Sequence, residues 1–375
     1  MFYLLHNLLR EYLVKVHAYQ YVRVLRYITF RTIFAALTAF VLAAYLGPVV
    51  IRLLKRRRVH DVDHTSDPLA ITSLREGKKG TPTMGGLLIL LAVFAAVALW
   101  ADLGNYYVRV GVFVLVWLGA LGLADDWVKL ARPGSNGLRM RTKIIFQVGL
   151  GLLVGLFLWK YQDRIGAVGQ ARTLSLPFTK HLIAMGLYPF IAFAMVVIVA
   201  SSNAVNLTDG LDGLAIGCVG VAALAFTGLV YVAGHHDFAE YLRVPWVPGV
   251  WELTVLSGAL VGACLGFLWW NCHPAEVFMG DTGSLALGGA IGYLAVASRS
   301  EALLLVVGGV FVIEAGSVLL QIGSYRLCGG RRVFLCAPYH HHLQMKGWHE
   351  NQITVRFWIM AGLFAALGVS LLKLR

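Results

Sequence analysis

Long stretches in which apolar residues follow one another almost without charge alternate with short polar ones along most of the chain. A run of about 20 apolar residues crosses the hydrocarbon core as a helix, which satisfies every backbone polar group internally. The pattern predicts ten such spans, over roughly 28–51, 84–101, 108–124, 144–160, 181–200, 214–234, 251–270, 284–298, 302–325 and 353–372. Several contain Gly, which lets membrane helices approach closely. Residues 1–27 read differently. There Arg10, Lys15, Arg23 and Arg26 interrupt Leu, Tyr and Val, the mark of an amphipathic helix lying at the interface. The expected architecture is an all-α polytopic integral membrane protein of about ten transmembrane helices. An interfacial segment, 1–27, precedes a single ten-helix domain over 28–375.

Composition agrees, with 58% of 375 residues hydrophobic and 14% charged, far too apolar for an ordinary soluble protein. A formal charge of +13 would point to nucleic acid in a soluble chain; here it is read through the loops. On alternate loops the basic residues cluster more tightly, as in Lys55–Arg58, in Arg139, Arg141 and Lys143, and in Arg326, Arg331 and Arg332. That asymmetry puts 52–83, 125–143, 201–213, 271–283 and 326–352 in the cytoplasm and both termini outside, with no nucleic-acid partner. The five cysteines form no C-x-x-C pair, so neither a disulfide framework nor a zinc knuckle is indicated. The first apolar stretch is long enough to span and lacks a cleavage site, so no cleavable signal peptide is expected.

The chemistry lies in the polar stretches. Ser201–Gly213 places Asn203, Asn206, Asp209 and Asp212 three residues apart, so a helical turn would align all four on one face. Loops favour Asn, Asp and Gly, but the regular spacing points instead to a site for a cation or a nucleotide. Lys78 and Lys79 precede Gly80–Gly86, a run of Gly and Thr at a helix start that suits phosphate. Asp125 and Asp126 end the third span side by side, one turn before Lys129; adjacent carboxylates repel unless a cation or a shared proton relieves them. Asp281, between Gly280 and Gly283, opens a helix that Thr282 or Ser284 can cap, a geometry that aims a carboxylate at a metal. Glu314, deep in the ninth span, needs a partner in the bundle, and Gln321 a turn or two further on is the expected one. Three consecutive histidines, His340–His342, fit zinc poorly, because neighbours on a helix do not face one point. Hydrogen bonding to phosphates suits them better.

Five stretches in this order resemble the phospho-N-acetylmuramoyl-pentapeptide-transferase family, part of the polyprenyl-phosphate N-acetylhexosamine-1-phosphate transferase superfamily. They are Gly80–Gly86, Leu123–Trp127, Asn203–Gly213, Phe278–Ser284 and Ala337–Trp348, and the last singles out the muramoyl-pentapeptide branch from transferases that use UDP-GlcNAc. The likeness fades in 1–27 and 59–77. It implies a ten-span, often homodimeric enzyme of the bacterial inner membrane with its active site facing the cytoplasm. Using Mg2+, such an enzyme moves phospho-MurNAc-pentapeptide from UDP-MurNAc-pentapeptide to undecaprenyl phosphate, giving lipid I and UMP. By position, the resemblance makes Asp281 the metal ligand and has Asp125 and Asp126 orient or deprotonate the lipid phosphate. Asn206, Leu207, Asp209, Gly210, Leu211 and Asp212, with Phe278 stacking, would hold the uridine. Lys78, Thr83, Lys129, Lys143, Gly280, Ser284, Gln321, His340, His341 and His342 would handle diphosphate and sugar, with His340 and His341 close to the chemistry. A secondary transporter would place its polar residues at mid-membrane, and a CDP-alcohol phosphotransferase would gather its aspartates on one helix. Here they sit at span ends, dispersed over several loops.

Overall fold

The computed structural model describes residues 1, 3, 23–56, 80–132, 135, 137–164, 172–176 and 182–373. Lys78, the 59–77 loop and most of the interfacial 1–27 segment therefore lie outside the described residues. A 3-10 turn at Arg23–Arg26 leads into α1 (Ile28–Arg56). Then come α2 (Gly86–Trp100), α3 (Tyr106–Ala131), α4 (Met140–Arg164), α5 (Leu187–Thr208) and α6 (Leu214–Gly234). The short α7 (His236–Leu242) precedes α8 (Leu253–Asn271) and α9 (Gly280–Ala297). The chain closes with α10 (Glu301–Val307), α11 (Gly309–Leu327), α12 (Tyr339–Met345) and α13 (Glu350–Ser370).

Every predicted span has a helix. Eight of the helices are long and apolar enough to cross a membrane, which makes this a multi-pass membrane protein. The other two predicted spans, α2 and α9, are shorter or less apolar; α9 is enclosed by the bundle, whereas α2 leaves Leu87 and Leu91 exposed. Three departures from the hydropathy pattern stand out. The apolar run 181–200 begins as strand β2 (Leu182–Ala184), paired antiparallel with β1 (Thr173–Ser175), and α5 starts only at Leu187. The run 302–325 is divided at Gly308 into α10 and α11. Finally, α3 runs past the apolar stretch to Ala131, carrying Asp125, Asp126 and Lys129 on helical backbone.

Helix α9 is the axis of the fold. It lies between α3 and α5 and also touches α2 and α6, while α8 joins α1 to α6. From Thr282 to Ala297 every α9 residue is buried, and glycines make that possible. A Cβ at Gly289 would lie 1.9 Å from Leu118 Cδ1, and one at Gly292 would lie 2.1 Å from Ser201 Oγ. Without lipid-excluding force between helices, such close backbone approach is what dispersion rewards.

At the end of the bundle remote from the aspartates, Arg31 of α1 forms a two-pronged pair with Glu252 just before α8. Its Nη1 donates to Oε2 at 2.9 Å and its Nη2 to Oε1 at 2.5 Å. The Asp102 backbone N–H donates to the same carboxylate, tying in the α2–α3 turn. Both side chains are buried, so removing one partner strands the other charge. Glu252→Ala is therefore expected to destabilise the protein by about 3–5 kcal/mol, read as a lowered unfolding midpoint in detergent. An unchanged midpoint would show that this pair does not hold α1 to α8.

Candidate active site

Four helix ends meet at one end of the bundle, and they carry the sequence's candidate acids and bases. Asp125 and Asp126 come from the last turns of α3, Lys143 from the first turn of α4, Asn206 from the last turn of α5 and Asp281 from the first turn of α9. The approach is again set by missing side chains. A Cβ at Gly122 of α3 would sit 2.2 Å from the Asp281 carbonyl oxygen, and one at Gly86 of α2 would sit 2.2 Å from the Gly283 nitrogen. The Gly80–Gly86 stretch is stitched to the loop before α9: Phe278 N–H donates to Pro82 O, Gly85 N–H to Phe278 O and Gly86 N–H to Met279 O. Gly280, at φ +73°, turns the chain into α9 through a left-handed conformation that a side chain would strain.

The three aspartates have distinct surroundings. Asp126 is committed to α9: it accepts from the backbone N–H groups of Asp281 (3.1 Å) and Thr282 (3.0 Å) and from the Thr282 hydroxyl (2.6 Å). Those N–H groups have no partner within their own helix, and a carboxylate there also meets the positive end of its dipole. Capping of α9 thus falls to a side chain from another helix, while the Ser284 hydroxyl donates to Gly280 O instead. Asp125 accepts from Leu138 N–H at 2.7 Å and pairs with Lys129 at 2.8 Å and Lys143 at 2.9 Å. Asp281 is bound by Lys143 at 2.6 Å, by Lys129 at 3.2 Å and by the Asn206 amide at 3.0 Å. The sequence shows no base inside the aspartate stretches, yet these carboxylates do have basic neighbours, brought in from α3 and α4.

Three carboxylates share two ammonium groups, so the cluster keeps an excess of negative charge. One oxygen from each of Asp125, Asp126 and Asp281 lies within 4.8 Å of the others, a spacing that could hold a metal ion. Hard oxygen donors with residual negative charge fit Mg2+, which prefers one or two carboxylates plus phosphate and water. Asp126 is the least free of the three, because both its oxygens already serve α9.

The Asn203–Gly213 stretch does not align as its spacing predicts. Helix α5 ends at Thr208, so only Asn203 and Asn206 share its face, and Asp209 to Gly213 form a turn that Gly213 closes at φ +73°. Asn206 bridges Asp281 and the Ser284 hydroxyl (2.8 Å). Asn203 instead donates to Gln147, which donates to Ser202. Asp212 is buried and belongs to a second cluster: its carboxylate accepts from Ala275 N–H and meets His273 Nδ1 at 3.1 Å, and its own N–H donates to Glu350. The sequence reading passed over His273 and Glu350, which stand in no acidic run. Leu207 is half-buried and Leu211 buried beside this turn, and Phe278 and Thr83 are half-buried at the edge of the site.

Helix α12 brings the histidines in. His340 is fully buried and bonded to Glu314, replacing the Gln321 partner expected from sequence. Gln321 holds the following loop, accepting from Val333 and Phe334 N–H groups and donating to Phe334 O. His341 Nδ1 meets Gln344 Oε1 at 2.7 Å. His342 Nδ1 accepts from Leu335 N–H, and partial burial together with the Lys346 charge lowers its pKa, favouring that neutral acceptor form.

Acids, amides and ammonium groups gathered at the helix ends of a multi-pass bundle are the equipment of a membrane-embedded transferase. Residues 108–299 match the family model Glycosyl transferase family 4, and residues 78–90 match Phospho-N-acetylmuramoyl-pentapeptide-transferase signature 1. Similar proteins named phospho-N-acetylmuramoyl-pentapeptide-transferase include one from Koribacter versatilis, 45% identical over 99% of this chain and 100% of its own length. Those from Oleidesulfovibrio alaskensis and Thermodesulfovibrio yellowstonii are each 47% identical over 94% of this chain and 95% of theirs. The chain belongs to the phospho-N-acetylmuramoyl-pentapeptide-transferase family.

The glycine contacts give a direct check on the assembly of the site. Gly122→Ala is expected to cost about 1–3 kcal/mol through overpacking against Asp281. Gly149→Ala on α4, where a Cβ meets nothing within 4 Å, should be neutral. Thermal unfolding of both variants in detergent reads the difference, and equal midpoints would contradict the close approach.

Proposed function

We propose that this chain transfers phospho-MurNAc-pentapeptide from UDP-MurNAc-pentapeptide to undecaprenyl phosphate, forming lipid I and UMP in the first membrane step of peptidoglycan synthesis. The observation that carries the reading is the Asp125–Lys129–Lys143–Asp281 cluster at the helix ends of a bundle whose relatives bear that name. Transfer from UDP-GlcNAc to a polyprenyl phosphate is less well supported, because the matched signature and relatives are all named for the muramoyl substrate.

The step is a phosphoryl displacement. An oxygen of the lipid phosphate attacks the phosphorus that bears the sugar. The new P–O bond forms as the bond to the bridging oxygen breaks, and UMP leaves with the electron pair. Such a step asks the protein mainly for alignment and charge stabilisation. Lys129 and Lys143 release their carboxylates to hold phosphate oxygens, and Asp125 orients the attacking lipid phosphate or takes its proton. Asp126 keeps α9 and Asp281 at the required depth, and Ser284 and Asn206 set the direction of the Asp281 carboxylate. Asp281, with Asp125 beside it, would hold Mg2+, which when bound supplies charge neutralisation along the diphosphate. The Asp209–Asp212 turn and Phe278 take the uridine, and Lys78, Thr83, Gly280, Gln321 and His340–His342 the diphosphate and the sugar with its peptide.

The site end of the bundle is assigned to the cytoplasm of the bacterial inner membrane, and both termini to the outside, on the basic loops that flank the aspartates. Residues 28–375 act as one catalytic domain, with 1–27 as an interfacial segment, and the family resemblance supports a homodimer. Turnover is expected with UDP-MurNAc-pentapeptide, undecaprenyl phosphate and Mg2+, scored as UMP release. Asp281→Asn should lower it by about 100-fold or more while the protein stays folded. Comparable release from UDP-GlcNAc would overturn the choice of sugar and leave the superfamily standing. For orientation, Cys328 follows α11 on the side where α13 begins, a cysteine placed by Ser370→Cys lies at the far end of α13, and both positions are exposed. In spheroplasts a membrane-impermeant maleimide should label the second and not the first; the reverse pattern inverts the assignment.

A further inference from the structure

Glu314 is a buried carboxylate that the transfer reaction has not used and that, unlike Glu252 and Glu301, is paired with a histidine. It is fully buried on α11, and its two oxygens are both spent on one residue. The backbone N–H of His340 donates to Oε1 at 3.2 Å, and Nδ1 of the same ring lies 3.0 Å from Oε2. A carboxylate only accepts, so Nδ1 carries the proton. The other ring nitrogen, Nε2, is buried and has no hydrogen-bond partner among the described residues. It points at Gly210: a Cβ there would lie 2.3 Å from Nε2 and 3.0 Å from Cε1. Leaving a buried polar nitrogen unpaired costs about 1–3 kcal/mol, so the arrangement makes physical sense when a partner arrives from elsewhere. Gly210 belongs to the turn between Asp209 and Asp212, and its lack of a side chain lets that turn pack directly against Nε2.

We propose that Glu314 is a positioning residue for the transfer reaction. It fixes the His340 ring so that protonated Nδ1 faces the protein and Nε2 faces the polar groups of the nucleotide-sugar bound at the Asp209–Asp212 turn. The proposal rests on the reading of that turn and His340 as part of the substrate site. Its content is chemical. In Glu314→Gln the backbone N–H of His340 can be met only by the amide oxygen, which turns the NH2 group toward Nδ1. An NH2 group donates, so Nδ1 must become the acceptor and the neutral ring must carry its proton on Nε2 instead. Size and packing are unchanged, but the nitrogen offered to the substrate switches from one form to the other.

Steady-state UMP release is measured for the wild type, Glu314→Gln, His340→Ala and the double variant. Glu314→Gln should unfold at the wild-type temperature yet lose about tenfold or more in kcat, with KM for UDP-MurNAc-pentapeptide within about threefold. Because Glu314 acts through the ring, the double variant should be no slower than His340→Ala alone. Wild-type kcat in Glu314→Gln, or losses that multiply in the double variant, would overturn the proposal. A readout that needs no Glu314 variant is the 15N spectrum of histidine-labelled wild type, with His340 assigned by its loss in His340→Gln. Protonated Nδ1 is expected, and a neutral ring protonated at Nε2 sinks the idea. A wild type that releases no UMP from any UDP-sugar removes the functional reading itself, whereas intact turnover with an unaffected Glu314→Gln removes only the role of Glu314.

Discussion

The carboxylate of Asp126 holds the candidate-site end of this molecule together. It reaches from α3 to N–H groups left unpaired at the start of α9, a distance of 155 residues along the chain for Asp281, and satisfies them in a setting where water is scarce. Everything else at the site depends on that junction. Asp281 is the residue whose N–H is capped, so its carboxylate is delivered to Lys129, Lys143 and Asn206 by the same bond that closes the helix pair. Adjacent aspartates therefore divide their work: Asp126 builds the helix junction, and Asp125, one residue earlier, faces the ammonium groups. Repulsion between the two is relieved mainly by different partners, with Lys129 close to Asp125 and within 3.9 Å of Asp126.

Much of the fold was legible because the bilayer imposes a severe rule. A crossing helix must be apolar for most of its length, so 28–51 or 214–234 announces itself whatever it later packs against. The candidate acids were legible for a related reason, since Asp125, Asp126 and Asp281 stand at the ends of apolar runs where a carboxylate needs an explanation. Pairing was not legible. Nothing local marks Thr282 as the partner of Asp126, Glu252 as the partner of Arg31, or His340 as the partner of Glu314, because each pair is closed by tertiary packing. Glu314 shows the limit well: the neighbour nearest in sequence, Gln321, points into the following loop, and the true partner arrives from α12. Spacing misled at Asn203–Asp212, where a period of three implied one helical face. The glycines at 210 and 213 end that face after Thr208, and the two halves of the stretch serve different clusters. Strand β2 was hidden inside an apolar run, since three residues are too few to show alternation.

The two ends of the bundle use charge in opposite ways. Arg31 and Glu252 are matched one charge to one, buried and joined by two hydrogen bonds, an arrangement that locks helices. At the other end the lysines are partly exposed and shared among more acids than they can neutralise. Shared, exchangeable pairs cost little to reopen when a phosphate offers the ammonium groups a better partner, which is the property a transferase needs at its working face.

The enclosure of α9 has a consequence for how the protein lives in a bilayer. Lipid acts on helices it touches: where hydrocarbon thickness and apolar length disagree, a helix tilts or the bilayer deforms around it. From Thr282 to Ala297, α9 touches only protein, so this mismatch has no purchase on it. Its 18 residues need not match any particular membrane. Outer helices such as α1 and α13 can adjust their tilt as lipid composition or temperature changes, while α9 keeps its depth within the bundle. The carboxylate at its tip is thereby insulated from the thickness of the membrane in which it works.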